Sequence, residues 1–186
     1  MIFDTDDFHV TNNRLDLLYQ LHEANPKFKI TAFAVPAYCP DEFLDTLPDW
    51  IELAGHGWTH GGPDCSNSRE AEHWSYDEAM NALLSLPGRF VEGWKSPGWQ
   101  VSDGTYQALR ELGYWIADHP DNNDRRPHWL RTHVHGTGDH VHTHVQPVCG
   151  NGLEEIFPYL LKRVTQATSF QWVSEVVQPW RAKVSA

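Results

Sequence analysis

The order of apolar and amphipathic segments predicts an α/β fold with a parallel sheet, built as a distorted or incomplete (β/α) barrel. Short β-branched runs alternate with helical patterns along the whole chain. Clusters of Asp and His follow directly after several of these runs, where a parallel barrel places its functional residues. The 186 residues are few for eight strand–helix units, so we expect an incomplete barrel formed by one domain over residues 1–186.

The first half of the chain contains three predicted strands. They lie at residues 2–6, 29–35 and 50–54, and the third delivers His56 at its C-terminal end. Leucines spaced by three residues predict a helix at 12–25, which Pro26 ends, and a short helix is expected at 40–47.

The second half continues the alternation. Ser75 and Glu78 have the spacing of a capping box for a helix that extends to Leu86. Further strands are predicted at 89–95, 114–117 and 170–173, the last followed by a short helix. Helices are predicted from Ser102 to a C-terminal Gly113 and at 153–164, where Pro158 marks a kink or a late start.

Residues 130–145 predict an antiparallel hairpin with its turn at 136–139. Counting by two places one set of polar side chains on a single face: Arg131, His133, His135, His140, His142 and His144. Two interpretations stay open for this face. One is a second metal site or a proton-linked surface, and the other is a polar lining without a metal.

The composition excludes some classes of partner. A net charge of −11 argues against nucleic acid and anionic membranes, because phosphates require a basic surface. Nine tryptophans suit either stacking on sugar rings or packing in the core.

The sequence predicts a protein without a membrane span. No segment has the length and apolarity of a transmembrane helix, and no signal peptide is recognisable. If the first Met is the natural start, a cytoplasmic location is expected, with Cys39, Cys65 and Cys149 as reduced thiols.

Two stretches contain the residue types of a divalent metal site. Asp6 and Asp7 are adjacent carboxylates after the first strand, and His56 and His60 are four residues apart. One carboxylate and two imidazoles form a facial set that leaves positions open for water and substrate. The second carboxylate would then be free to act as a base.

The order of these motifs resembles the polysaccharide deacetylases, the NodB-homology domain of carbohydrate esterase family 4. The motifs are Thr5-Asp6-Asp7-Phe8, the segment from His56 to His60, Lys95-Ser96-Pro97-Gly98-Trp99, and His142-Thr143-His144. The resemblance covers nearly the whole chain.

The resemblance implies a role for each matching residue. Asp7, His56 and His60 would bind one divalent metal ion, with zinc the first choice. Asp6 would be the general base and His144 the general acid, with His142 as its rival and Asp118 as a supporting carboxylate. Lys95, Pro97, Gly98 and Trp99 would form a wall for the substrate and the oxyanion.

Three residues bear on the details of this site. Phe8 stands where the family has Gly, which predicts a narrower pocket. Lys95 replaces an Arg that holds the base, and it keeps the charge without the planar fork. Asp4 shares a strand face with Asp6 and competes with it for the role of base.

The resemblance implies a metal-dependent hydrolase that removes acetyl from an N-acetylated amino sugar or polysaccharide. Two alternatives stay open. One is hydrolysis of another amide C–N bond on the same fold, and the other is a non-catalytic metal- or sugar-binding protein on a degenerate scaffold. The acetylated substrate and the oligomeric state stay undetermined.

Overall fold

One eight-stranded sheet organises the chain. In the computed structural model, which describes residues 1–122, 126–127, 129–147 and 150–179, the strand order is β7-β1-β2-β3-β4-β5-β6-β8. The strands are β1 Ile2–Phe8, β2 Ile30–Ala34, β3 Ile51–His56, β4 Phe90–Lys95, β5 Trp115–Asp118, β6 Arg131–Val134, β7 His140–His144 and β8 Gln178–Pro179. All neighbouring pairs are parallel except β6 and β8. The seven parallel strands form a curled half-barrel with helices around it, which confirms the predicted incomplete (β/α) barrel.

Capping residues and a proline account for the ends of three of the helices. They are α1 Leu15–Ala24, α2 Asp41–Leu44, α3 Tyr76–Leu84, α4 Asp103–Leu112, α5 Phe157–Gln166 and α6 Val173–Val176. Ser75 and Glu78 form the predicted reciprocal capping box, and Gly113 ends α4 in the left-handed conformation. Pro158 lies in the first turn of α5, where its missing N–H costs little, so the helix starts late instead of kinking.

The hydrophobic core lies between the sheet and its helices. Its largest part joins α1, α5 and the strands β1, β2 and β3, with Phe3, Phe28 and Phe170 in edge-on and tilted ring contacts. A second part joins α3 and α4 through Trp94 and Leu109. Among the described helices, none is long and apolar enough to cross a membrane.

The predicted antiparallel hairpin at 130–145 is wrong. β6 pairs in parallel with β5, β7 pairs in parallel with β1, and the two strands stand near opposite ends of the strand order. The curl of the sheet nevertheless brings them close, since His133 Nε2 lies 3.2 Å from His140 Nδ1. A period of two is the same for parallel and antiparallel strands, so the sequence pattern did not distinguish them.

The predicted strand at 170–173 is also wrong. Gln171 makes an isolated bridge to Ile2, and the chain then enters α6 at Val173. A short apolar run without a clear period is compatible with either a strand or a helix. Here the helix forms, with Val173 packed against β1 and β2.

Candidate active site

A bulge in β1 brings both carboxylates of the Asp pair into one cavity. In a regular strand, Asp6 and Asp7 would point to opposite faces of the sheet. The register to β2 shifts between Thr5 and Phe8, and Asp7 has a φ of 66°. This left-handed conformation is costly for a residue with a side chain and is typical of functional sites. As a result, Asp6 and Asp7 both line the cavity and are each 4% exposed.

His56 and His60 reach the same cavity from the end of β3 and the loop that follows it. His56 Nδ1 donates to the Lys95 carbonyl at 2.9 Å, which directs its Nε2 into the cavity. Glu70 holds the loop by accepting hydrogen bonds from Trp58 N, Thr59 N and His60 N, each at 2.9 Å. His60 itself has a φ of 51°, so this carboxylate supports a strained conformation.

The three predicted metal ligands converge on one point. Asp7 Oδ1 lies 3.4 Å from His56 Nε2 and 3.2 Å from His60 Nε2. A tetrahedral ion with ligands at about 2.1 Å separates its donor atoms by roughly 3.4 Å. Asp7 Oδ1 is buried and has no hydrogen-bond partner among the described residues, although Gln146 Nε2 donates to Asp7 Oδ2 at 2.6 Å. An orphaned carboxylate oxygen facing two imidazole nitrogens fits a divalent cation.

Lys95 fixes one oxygen of the Asp6 carboxylate. Its Nζ donates to Asp6 Oδ1 at 2.7 Å and lies 4.2 Å from the centre of the Trp99 ring. Both partners are buried, so the ion pair is shielded from solvent. Asp6 Oδ2 is left facing the cavity, 3.8 Å from His56 Nε2 and 3.8 Å from His144 Nε2.

The segment after β4 forms one wall of a cavity of about 470 Å³. Gly98 and Trp99 line it, whereas Pro97 is buried and packs against Gly57. Gly98 has a φ of 55°, and a Cβ there would lie 2.4 Å from the Ser68 carbonyl oxygen, so the position requires glycine. Trp99 N already donates to the Ser96 carbonyl oxygen, and Pro97 has no N–H. Gly98 N is therefore the amide of this wall that could donate to an oxyanion.

His144 and His142 have different surroundings. His144 lines the cavity, with its Nδ1 3.0 Å from Asn151 Oδ1. His142 Nδ1 is hydrogen-bonded to Asp4, whose other oxygen lies 2.8 Å from His140 Nε2. Asp4 is thus engaged by two histidines and does not line the cavity, whereas Asp6 does.

Two sequence-based expectations need correction. Asp118 does not orient His144, because it accepts hydrogen bonds from Arg126 Nε at 2.9 Å and Tyr106 Oη at 2.8 Å in a separate buried cluster. Phe8 does not narrow the cavity either. The bulge turns its ring into the core, where it is fully buried against Phe43.

The charges of the cavity favour ionised carboxylates. Burial raises the pKa of Asp6, but Lys95, His142 and His56 outweigh that effect, so the pKa is lowered. Burial likewise raises the pKa of Asp7, but the opposing effect of His56 and His60 is larger, so the pKa of Asp7 is also lowered. Burial lowers the pKa of His144, which favours the neutral imidazole at rest.

Sequence reasoning missed several residues of the site, among them Glu70, Gln146, Asn151 and Cys65. The first three hold His60, Asp7 and His144, and Cys65 lines the cavity. All four lie in loops, where no periodic pattern indicates which side chains turn inward. Cys39 and Cys65 are free thiols, while Cys149 lies outside the described residues.

Comparison with known proteins supports the fold. No protein-family model and no curated protein sequence matches the chain significantly. Among solved structures, a carbohydrate esterase family 4 pseudoenzyme from Bacillus anthracis aligns with a TM-score of 0.64 at 13% identity, over 97% of this chain and 66% of that chain. The present chain therefore spans just under two thirds of that pseudoenzyme.

Two further neighbours are described as carbohydrate esterases. A family 4 acetyl xylan esterase from Clostridium thermocellum, in complex with a cobalt ion, has a TM-score of 0.59 at 14% identity, over 94% of this chain and 88% of its own. A family 4 carbohydrate esterase from Streptomyces lividans, in complex with acetate, has a TM-score of 0.56 at 14% identity, over 87% of this chain and 85% of its own. The chain has the fold of these proteins, as the motif resemblance predicted.

Proposed function

We propose that this chain is a family 4 carbohydrate esterase: a metal-dependent hydrolase that removes acetyl from an N-acetylated amino sugar or polysaccharide. The observation that carries the proposal is the convergence, in one cavity, of an Asp-His-His ligand set and a second carboxylate held by a buried lysine. The neighbours described as an acetyl xylan esterase and as an acetate complex share this fold and support acetyl transfer to water.

Asp7, His56 and His60 would hold the metal ion. When bound, a divalent ion there would polarise a water molecule and the acetyl carbonyl. Imidazole and carboxylate ligands suit zinc and its neighbours in the transition series, and the cobalt ion of the Clostridium esterase is consistent with that choice. Zinc remains our proposed ion.

Asp6 is placed to take the proton of the attacking water. Lys95 keeps the Asp6 carboxylate ionised and fixes one oxygen, so the other oxygen faces the cavity with little freedom to turn. Gly98 N would supply a backbone donor, from the wall that follows β4, for the negative charge that develops on the carbonyl oxygen.

His144 is placed to protonate the leaving amine. It enters the cavity from β7, while His56 and His60 enter from the β3 side, so Asp6 lies between the two groups. Its neutral resting form needs a proton before the amine departs, and the nearby Asp6 and Asp7 charges stabilise the imidazolium.

An O-acetylated carbohydrate is the second candidate substrate, because a structural neighbour is described as an acetyl xylan esterase. The same residues would act on an ester, whose leaving group is an alcohol. Assays of acetate release from chitin oligomers and from acetylated xylan separate the two candidates.

The test of the function is Asp6→Asn. This variant keeps the size of the side chain and removes the base, so acetate release should fall about 10²- to 10⁴-fold while the ion held by Asp7, His56 and His60 stays bound. Asp45→Asn, at an exposed carboxylate, is the control and should keep full activity. Retained activity in Asp6→Asn would contradict the assignment of the base. Absence of acetate release from both substrates by the metal-loaded wild type would favour a non-catalytic binding protein.

A further inference from the structure

A second group of metal-ligand side chains lies beside the first. It consists of Asp6, His142 and His144, which each offer one ligand atom within 4.8 Å of the others. Asp6 Oδ2 is 3.9 Å from His142 Nε2 and 3.8 Å from His144 Nε2. We propose that these three residues form a second divalent-metal site.

The two imidazoles are oriented as metal ligands usually are. Each binds an acceptor through Nδ1: His142 binds the Asp4 carboxylate, and His144 binds Asn151 Oδ1 at 3.0 Å. An acceptor at Nδ1 places the ring proton on that nitrogen and leaves the lone pair on Nε2. A carboxylate behind a histidine also raises the basicity of the ligand and fixes its ring.

Asp6, the carboxylate of this group, has one oxygen available to a cation. Lys95 occupies Asp6 Oδ1, so Asp6 Oδ2 is the oxygen available to an ion. Asp4, Asp6 and Asp7 are buried carboxylates at 1%, 4% and 4% exposure, and the buried Lys95 ammonium acts on Asp4 and Asp6. Lys95 and a divalent ion at Asp7 together neutralise these three charges, so the second ion is proposed from the geometry of its ligands and not from surplus charge.

The geometry also predicts the order of binding. Asp6 Oδ2 lies 3.8–3.9 Å from the two imidazole nitrogens of the second group, whereas Asp7 Oδ1 lies 3.2–3.4 Å from those of the first. Roughly half an ångström of closure is needed to reach the spacing of a tetrahedral ion. The second site therefore binds more weakly than the first, and imidazole ligands select zinc or cobalt over magnesium or calcium.

Occupation of this site has a consequence that rests on the proposed function. Asp6 and His144 would be the base and the acid of the reaction, and an ion bound between them prevents both from moving protons. Excess zinc should therefore inhibit a singly loaded enzyme, with the affinity of the second binding step.

Metal stoichiometry tests the site without any catalytic readout. The wild-type protein, freed of metal and titrated with Zn²⁺ by calorimetry, should bind about two equivalents in two steps. His142→Ala and His142→Gln should each lose the weaker step, and His60→Ala should lose the stronger one. His73→Ala removes an imidazole that is 88% exposed beside Glu72 and is the control, with both steps retained.

Circular dichroism of each variant checks that it is folded, and the Gln variant guards against loss of structure by truncation. One equivalent in the wild type, or two steps in both His142 variants, would overturn the second site. If the wild type binds one ion and releases acetate, this inference fails and the proposed function stands. If it binds two ions but releases no acetate at any loading, the proposed function fails instead.

Discussion

At the scale of single residues, the side chains that hold the ligands matter as much as the ligands. Glu70 receives hydrogen bonds from three consecutive backbone amides, Trp58 to His60, and from the Thr59 hydroxyl. Because these amides leave β3 in a non-helical turn, they have no strand partner to satisfy them. Glu70 thereby fixes the position of His60 without touching the cavity's centre.

We expect Glu70→Ala to weaken metal binding by about 10- to 100-fold, since a supporting partner of a ligand is lost. Zn²⁺ affinity measured by competition with a chromophoric chelator checks this. Glu72→Ala is the matched control, because Glu72 lies two residues away and pairs with Arg69 instead. Equal affinities in the two variants would show that Glu70 does not position His60.

At the scale of elements, a buried carboxyl joins two strands to α6. Glu52 on β3 accepts a hydrogen bond from Thr31 Oγ1 on β2 at 2.8 Å and from Ser174 N on α6 at 3.3 Å. Burial raises the pKa of Glu52, and the hydrogen bonds only partly oppose this effect. The folded state therefore holds this proton more tightly than the unfolded state does.

The sign of the pH dependence follows from that difference. The contribution of Glu52 to stability is largest below its unfolded pKa of about 4.3 and declines as pH rises through the raised folded value. We expect the free energy of unfolding of the wild type, relative to Glu52→Gln, to fall over the pH range that begins near the unfolded pKa of about 4.3 and extends upward through the raised folded value. Urea titrations across this range measure it, with Glu42→Gln, at an exposed carboxyl on α2, as the control. A wild-type advantage that grows with pH would contradict the raised pKa.

At the scale of the whole molecule, the curl of the sheet assembles the site. β1 lies between β7 and β2, so residues 4–7 meet His142 and His144 on one side. β3 and β4 deliver His56 and Lys95 from the other side. The core that maintains this curvature includes Phe28, which is fully buried against Phe3, Phe170 and Trp50.

Phe28→Ala should destabilise the protein by about 3–5 kcal/mol, because the lost ring leaves a cavity that its neighbours only partly fill. Chemical denaturation measures the change. Leu84 is the last residue of α3 and is 64% exposed. As a control, Leu84→Ala should therefore change the free energy of unfolding by less than about 0.5 kcal/mol. A small effect at Phe28 would mean that this part of the core repacks.

Most elements were predictable because they depend on local chemistry. The capping box of α3, the end of α4 at Gly113 and the strands that precede His56 and Lys95 were each placed within a few residues. The ligand set Asp7, His56 and His60 was recognisable because its members lie close in sequence to strand ends. Its role stays a prediction until metal binding is measured.

The sequence by itself determined the α/β class, the parallel sheet and the set of residues at its C-terminal edge, since periodicity and capping act over a few residues. Only the tertiary structure decided that β7 pairs with β1. It also decided that the bulge in β1 turns Asp7 into the cavity and Phe8 into the core. Finally, it showed that Asn151, and not Asp118, is hydrogen-bonded to His144. These features depend on contacts between residues far apart in the chain. No local pattern contains that information, because a strand carries the same alternation whichever neighbour it pairs with.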